Sequence, residues 1–499
     1  MNDLLSHPLW QPETLGKPLP DSPHAVSVSL PLWEHVVGYE EGAAEVVDQM
    51  QAGYPRFFLA LLTKQLFQVA EERFAMEGEG AMVFPSRDAA ERCRAYALKR
   101  EPEVGVRLEA MGKFGLWAVV FPEAVRATIK LYWRFSGEIV SSRCAEAFLE
   151  NRTPDTEAGA VAKRTLRQRL ARHAGVGERD VFLVPSGMAA VSMVHRMLEA
   201  ALPHRESVQL DFPYVDALKV QEEFGHGAHF FPRAKPEDLA AIHAMAAVGF
   251  INGVYVEAPS NPLLRCVPLA KLADHLQKCR VPLVIDDTVA TVLQVNALKF
   301  ADVVTTSLTK SFSGVGDVLA GAITLNPRSL HYTSFREFLE AELERQDLFW
   351  SEDAVVLDAN SRDFPKRVRR ASQNAELLAK ALRRHPAVDQ VFYPREDDLG
   401  WRDIKRPGAG SGCLLSFTLK RPSDAPSVYD ALRVCKGPSL GTNFTLVCPY
   451  TLLAHYQELD WAAECGVAAS LLRVSVGLEE PDDLLERFAT ALQIVSPPE

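Results

Sequence analysis

Ser307-Leu308-Thr309-Lys310-Ser311-Phe312-Ser313-Gly314 follows a short apolar, strand-like stretch from Ala301 to Thr306. A lysine at the end of a buried strand, wrapped in hydroxyls and followed by a glycine, is poorly placed for a solvated surface charge. It is well placed to form an imine. Desolvation depresses a lysine pKa, and the neutral amine can then attack a carbonyl. Ser307 and Thr309 lie on either side of Leu308, and in a loop both hydroxyls can turn toward one phosphate. A surface turn accounts for this run equally well, and three upstream segments decide between the two.

The first segment is Val181-Phe182-Leu183-Val184-Pro185-Ser186-Gly187-Met188-Ala189-Ala190. Its apolar start reads as a buried strand, Ser186-Gly187 as a small-residue turn, and Met188 to about Ala201 as a helix. Such a junction presents free backbone N–H groups and the positive end of a helix dipole to an anion. Gly187 lets the backbone approach a phosphate closely. The second segment, Gly253-Val254-Tyr255-Val256-Glu257-Ala258-Pro259-Ser260-Asn261-Pro262, is a strand ending in a Pro-x-x-Pro loop that holds Asn261. Asn-Pro marks an ordinary turn, and the same amide can also hydrogen-bond a cofactor oxygen. The third segment, Val281-Pro282-Leu283-Val284-Ile285-Asp286-Asp287-Thr288, runs an apolar strand into two acids. Carboxylates at the C-terminal ends of parallel strands face the crevice where open α/β sheets bind ligands. A pyridine nitrogen kept protonated by an Asp, with a lysine Schiff base, is the working arrangement of pyridoxal phosphate. A metal site or a helix N-cap would explain the acids but not Lys310 at the end of the next strand.

The order Ser-Gly-Met-Ala-Ala, Pro-Ser-Asn-Pro, Asp-Asp-Thr and Ser-x-Thr-Lys resembles the transsulfuration (Cys/Met metabolism) family of pyridoxal-phosphate enzymes. The resemblance spans roughly residues 135 to 490 and includes Ser439-Leu440-Gly441 and Leu471-Leu472-Arg473-Val474-Ser475-Val476-Gly477-Leu478-Glu479. Within the family, the chain looks most like the long fungal-type cystathionine gamma-synthases. The segments that carry this are His24–Pro31, Gly53-Tyr54-Pro55-Arg56-Phe57-Phe58, Ser141-Ser142-Arg143 and Cys448–Tyr456. The resemblance implies an aspartate-aminotransferase-like (type I) fold and pyridoxal 5'-phosphate as cofactor. It also implies roles for individual residues. Lys310 would carry the cofactor as a Schiff base and shuttle protons. Asp286 would pair with the pyridinium nitrogen, with Asp287 in place of the family's usual Asn. Ser186, Gly187, Met188, Ser307 and Thr309 would hold the phosphate. Tyr214 would stack on the ring and take part in catalysis, and Asn261 would touch the ring hydroxyl. Ser439 and Arg473 would bind substrate, the arginine clamping its carboxylate. Arg143 would reach a phosphate, that of a neighbouring subunit. The family's Tyr-x-Arg at that place becomes Ser141-x-Arg143 here, so the tyrosine is missing from it. A second departure is Gly314-Val315-Gly316-Asp317, where the family often carries Gly-His-Ser-Asp.

A chain of 499 residues carries a large core and implies roughly two to four domains. A net charge of −11 argues against a nucleic-acid partner, and Lys366-Arg367-Val368-Arg369-Arg370 reads as a solvated helix face. No run approaches the roughly 18 apolar residues needed to span a bilayer. The N-terminus lacks a basic-then-apolar leader. Eight cysteines without a C-x-x-C pair fit a reducing compartment, and neither they nor the 13 histidines show metal-ligand spacing. These features predict a cytoplasmic protein without a metal; the family resemblance implies small-molecule amino-acid substrates and a homo-oligomer (dimer or tetramer).

Residues 1 to about 20 are proline-punctuated and read as loose, within an N-terminal α+β extension over 1–134. Gln65 to Met76 reads as an amphipathic helix. Val83-Phe84-Pro85-Ser86-Arg87-Asp88-Ala89-Ala90 echoes Leu183–Ala190, with Arg and Asp replacing the glycine and methionine. The extension can cover the active site, build a subunit interface or bind a regulator. Residues 135–334 alternate apolar strands (Val181–Val184, Val208–Phe212, Gly253–Glu257, Leu283–Asp286, Val303–Ser307, Gly321–Leu325) with helical segments. That predicts an α/β domain with a mostly parallel sheet. A long helical linker is expected over 335–384 and a smaller α+β domain over 385–499. The activity expected is gamma-replacement on an activated homoserine ester by cysteine. A gamma- or beta-lyase, a sulfhydrylase, and a non-catalytic binding or regulatory module are the alternatives.

Overall fold

The computed structural model describes residues 3–495. Its centre is a seven-stranded sheet built from Val181–Val184 (β4), Glu206–Leu210 (β5), Ala228–Phe231 (β6), Ile251–Glu257 (β7), Leu283–Asp286 (β8), Val303–Ser307 (β9) and Gly321–Leu325 (β10). The preceding strands Glu79–Phe84 (β1), Arg107–Ala110 (β2) and Trp117–Pro122 (β3) form a small antiparallel sheet in the N-terminal extension. Val388–Phe392 (β11), Leu414–Leu419 (β12), Cys435–Lys436 (β13), Leu446–Pro449 (β14) and Leu472–Ser475 (β15) form a third sheet.

The central order is β4-β10-β9-β8-β7-β5-β6. The pairs β8–β9, β7–β8, β5–β7 and β5–β6 are parallel, and β10 runs antiparallel to both of its neighbours. β4, on the far side of β10, therefore points the same way as β7, β8 and β9. β7 is buried along its whole length, the continuous pattern of a strand covered on both faces. Because six of the seven strands share a direction, with β10 alone opposed, their C-terminal ends share one edge. Glu257, Asp286, Ser307 and the turn after Val184 meet there, as the expected mostly parallel sheet requires.

Three details differ from expectation. Residues 3 to 20 are tied down: Leu4 and Leu19 are buried against Cys435 and Leu446 of the third sheet and Phe444 beside it, while residues 1 and 2 lie outside the described residues. Their apolar side chains dock, although the segment's regular structure is limited to a 3-10 turn at Pro12–Thr14 and a bridge from Pro18 to Val28. The single linking helix is instead three, Tyr332–Arg345, Ser351–Asn360 and Phe364–Arg384. Pro365 sits in the first turn of the third, where a missing N–H costs nothing. Strands β6, β13 and β14 had no expected counterpart.

The echo between the N-terminal extension and the central domain is structural. Ser86 and Ser186 have the same backbone angles, φ −156° in both with ψ 166° and 164°, and each hydroxyl accepts the N–H three residues on. Each ends a buried strand and caps a helix, Arg87–Arg100 and Gly187–Ala201. The amphipathic helix runs over Leu61–Phe74, with Leu66, Phe67 and Ala70 facing the small antiparallel sheet's core.

Candidate active site

One cleft of about 150 Å³ gathers residues from all three parts of the chain around Lys310. The central sheet supplies Gly187, Met188, Tyr214, Glu257, Asn261, Asp286, Ser307 and Lys310; the third sheet's domain supplies Ser439, Tyr450 and Arg473; the N-terminal segment supplies Glu40, Tyr54 and Arg56.

Lys310 donates to Ser439 Oγ at 3.0 Å, and its Nζ lies 4.2 Å from the centroid of the Tyr54 ring. Loss of surrounding water pulls the lysine pKa below its ordinary value, against the opposing pull of Tyr54. Burial works to raise the Tyr54 phenol, but the Lys310 and Arg56 cations more than reverse it and leave the phenol below its ordinary range. The two groups are thus moved toward each other in acidity, which suits passing a proton between them.

Gly187 opens its helix beside Ser307: a Cβ on Gly187 would lie 2.7 Å from the Ser307 Cβ, so only glycine allows this approach. The Ser307 hydroxyl is buried without a partner among the described residues. The N–H groups of Gly187 and Met188 belong to the first turn and have no acceptor within the helix. An unpaired hydroxyl beside such N–H groups fits a phosphate. Asp286 accepts from Thr288 N at 2.8 Å, and burial raises its pKa. A cationic pyridinium would compensate that carboxylate, so the donor set as a whole fits pyridoxal 5'-phosphate.

Several expected residues are placed otherwise. Ser186 and Thr309 are not on the cleft wall. The Ser186 hydroxyl caps its helix and donates to Gly137 O, and the Thr309 hydroxyl is tied to Ala320 N and O. Arg143 is also absent from the wall; it is buried, bonded to Asp353 at 3.0 Å and to Asp317 O at 2.8 Å. Arg56 lines the wall together with Arg473, and the Tyr-x-Arg spacing expected at Ser141–Arg143 stands at Tyr54-Pro55-Arg56 of this same chain. Arg56 is 2% exposed, donates to the Asp216 carboxylate and to the Tyr214 hydroxyl, and reaches Arg134 O at 2.9 Å. The Asn261 amide oxygen accepts from Arg473 at 3.2 Å, so it orients the arginine. Arg473 also donates to Ser439 O at 2.7 Å and lies 4.9 Å over the Tyr450 ring. Ser439 adopts φ +86°, a left-handed conformation costly for serine, and Gly441 beside it admits no Cβ because Ser311 N would lie 2.4 Å away.

Glu257 was not anticipated. It pairs across the sheet with Asp286, and its two oxygens accept from Tyr214 N at 2.6 Å and Asn261 N at 3.0 Å. It thereby holds both wall residues in place. Burial, then the Asp286 charge, push its pKa from 4.5 to about 8. A carboxyl that binds its proton more tightly folded than unfolded loses stability as pH rises from about 4.5 to about 8. In Glu257→Gln that part of the stability–pH curve should flatten by an amount on the order of 2 kcal/mol, read by urea unfolding at pH 5 and pH 8.5. Equal pH slopes in parent and variant would show that Glu257 does not titrate in that range.

Residues 156–493 match the family described as Cys/Met metabolism PLP-dependent enzyme. The chain belongs to this family. Residues 62–141 match the fungal trans-sulfuration enzyme N-terminal domain, so the extension is part of the match. A cystathionine gamma-synthase of Neurospora crassa is 33% identical over 97% of this chain and 98% of its own length. One from Saccharomyces cerevisiae is 32% identical over 96% of this chain and 99% of its own length. Among solved structures, a cystathionine gamma synthase from Xanthomonas oryzae pv. oryzae, in complex with aminoacrylate and cysteine, superposes with a TM-score of 0.59. It has 25% identity over 68% of this chain and 87% of that one. The chain is therefore a PLP-dependent enzyme of the type I fold.

Proposed function

We propose that the chain joins cysteine to an activated homoserine ester, replacing the acyl group on the gamma carbon and giving cystathionine. The observation that carries this is Lys310 held between Tyr54 and Ser439, with Arg473 anchored behind Ser439. A substrate whose carboxylate is clamped by Arg473 presents its alpha carbon to an amine of lowered pKa. Gly187, Met188 and Ser307 would hold the cofactor's phosphate, Asp286 its ring nitrogen, and Tyr214 its ring face. When bound, the cofactor supplies an electron sink for negative charge on the substrate carbons. Lys310 takes the alpha proton and returns it, Tyr54 shares a proton with Lys310, and Arg473 fixes which bonds face the lysine. The thiol sulfur bonds to the gamma carbon, the thiol proton is released, and the acyl carboxylate leaves.

The full-length similarity to cystathionine gamma-synthases supports this reading over a lyase or a sulfhydrylase. The tyrosine missing at Ser141 is a weak point in favour of a non-catalytic module, and Tyr54 lines the cleft. No helix among the described residues is long and apolar enough to cross a membrane. Eight cysteines without a disulfide suit a reducing cytoplasm. A homo-oligomer, dimer or tetramer, belongs to the same proposal and is tested by light scattering.

The product assay uses O-succinyl-, O-acetyl- and O-phosphohomoserine, each with and without cysteine. Cystathionine is expected only when cysteine is present. 2-Oxobutyrate without any cystathionine would make the enzyme a lyase. Arg473→Ala should raise KM for the ester by about 10- to 100-fold, the range of one or two lost charge-assisted hydrogen bonds, with a smaller change in kcat. An unchanged KM would remove the carboxylate clamp from the mechanism.

A further inference from the structure

The cleft carries three carboxyl groups, and two are committed. Glu257 accepts from two backbone N–H groups and Asp286 from Thr288 N. Glu40 has no hydrogen-bond or ion-pair partner among the described residues. It is the penultimate residue of helix Trp33–Glu41, is half-buried, and lines the same cleft as Lys310. The guanidinium that bears on it electrostatically, Arg134, is spent on Asp216 through contacts of 3.1 and 2.8 Å. Burial, only partly offset by Arg134, pushes the Glu40 pKa to about 7. The carboxylate therefore carries an uncompensated desolvation cost that an entering cation would remove.

A second orphan lies on the same wall. The Tyr450 hydroxyl is buried, 3% exposed for the residue, and has no partner among the described residues. Tyr450 starts helix Tyr450–His455, against which helix Trp33–Glu41 packs, and the Tyr456 hydroxyl donates to Glu41 at 2.5 Å across that contact. Leu453 and Ala454, from the helix that Tyr450 starts, add apolar surface to the same cleft. The cations of the cleft, Lys310, Arg56 and Arg473, all have partners already described.

We propose that Glu40 is the recognition group for the ammonium of the incoming thiol, with the Tyr450 hydroxyl as a second polar contact, so that the cleft selects an amino thiol as nucleophile. This rests on the gamma-replacement reading above. An uncharged thiol or hydrosulfide gains nothing from Glu40, whereas an amino thiol gains a charge-assisted hydrogen bond in a site of reduced water. The N-terminal segment would thereby set the choice of nucleophile, while the central sheet does the chemistry common to the family.

The test uses the yellow holoenzyme with saturating ester and three nucleophiles: cysteine, cysteamine (ammonium, no carboxylate) and 3-mercaptopropionate (carboxylate, no ammonium). The parent should use cysteamine with a kcat/KM at least about tenfold above 3-mercaptopropionate, from one charge-assisted hydrogen bond. Glu40→Gln should bring that ratio near one and raise KM for cysteine by about 10- to 100-fold, with kcat falling less. Glu40→Asp should keep part of the preference. A ratio in Glu40→Gln equal to that of the parent overturns the proposal. A parent that converts the ester to 2-oxobutyrate but adds none of the three thiols overturns the gamma-replacement reading instead.

Discussion

Lys310→Ala is expected to abolish turnover, by about 10⁴-fold or more, and to remove the yellow absorbance of the bound cofactor. Lys310 is the one lysine on the cleft wall among the described residues. Its amine lies between Tyr54 and Ser439, and loss of water lowers its pKa, so the neutral form that attacks carbonyls and accepts protons is favoured. No other amine on that wall can substitute. The change should leave folding nearly untouched, because among the described residues the side chain bonds only to the Ser439 and Tyr54 hydroxyls on the cleft wall. Added methylamine restoring part of the rate would identify the missing function as the amine itself. Retention of both colour and turnover would sink the assignment.

Arg56→Met should have the largest effect on the fold. Arg56 and Asp216 are both essentially without solvent, at 2% and 0% exposure. The substitution keeps the length of the side chain but leaves Asp216 with Arg134 alone, the Tyr214 hydroxyl without its donor, and Arg134 O unsatisfied. Removing one partner of a buried pair costs about 3–5 kcal/mol. The loss should appear as a fall in urea midpoint at unchanged m-value. Because Arg56 also bears on Tyr54 and Tyr214, kcat/KM should fall on the order of 100-fold from mispositioning alone. Arg56→Lys should not restore the parent, since a single ammonium cannot serve an aspartate, a phenol and a carbonyl set by a planar fork. A variant within about 0.5 kcal/mol of the parent would mean that the network contributes nothing measurable.

Most of the central site was readable because each of its residues ends a local signal. Lys310, Asp286 and Gly187 each follow an apolar run, and parallel strands deliver their C-terminal ends to one edge. The hydroxyls were less readable. Ser186 and Thr309 stand beside phosphate-binding positions, but their side chains serve backbone groups, as short hydroxyls do wherever a helix start or strand end leaves an N–H or C=O free. Arg143, expected to reach a phosphate of a neighbouring subunit, is instead seen bonded within its own chain. Its serine-rich neighbourhood lies where the resemblance placed a tyrosine and an arginine, and nothing within a few residues reveals that its charge is spent on Asp353. The spacing that mattered, Tyr54-x-Arg56, was visible nearly ninety residues upstream in a segment otherwise without an assignable role.

The sequence by itself determined the strands that end at the cleft and the start of the helix at Gly187, and therefore the cradle around Lys310, because periodicity, capping and glycine conformation act over a handful of neighbouring residues. Only the tertiary structure decided that residues 39–56 close the cleft from the same chain, that Glu257 holds Tyr214 and Asn261, and that Glu40 is left facing the cleft unpaired. Those outcomes depend on which distant segments bury one another. Burial and charge pairing between residues hundreds of positions apart leave no mark on the local order of amino acids.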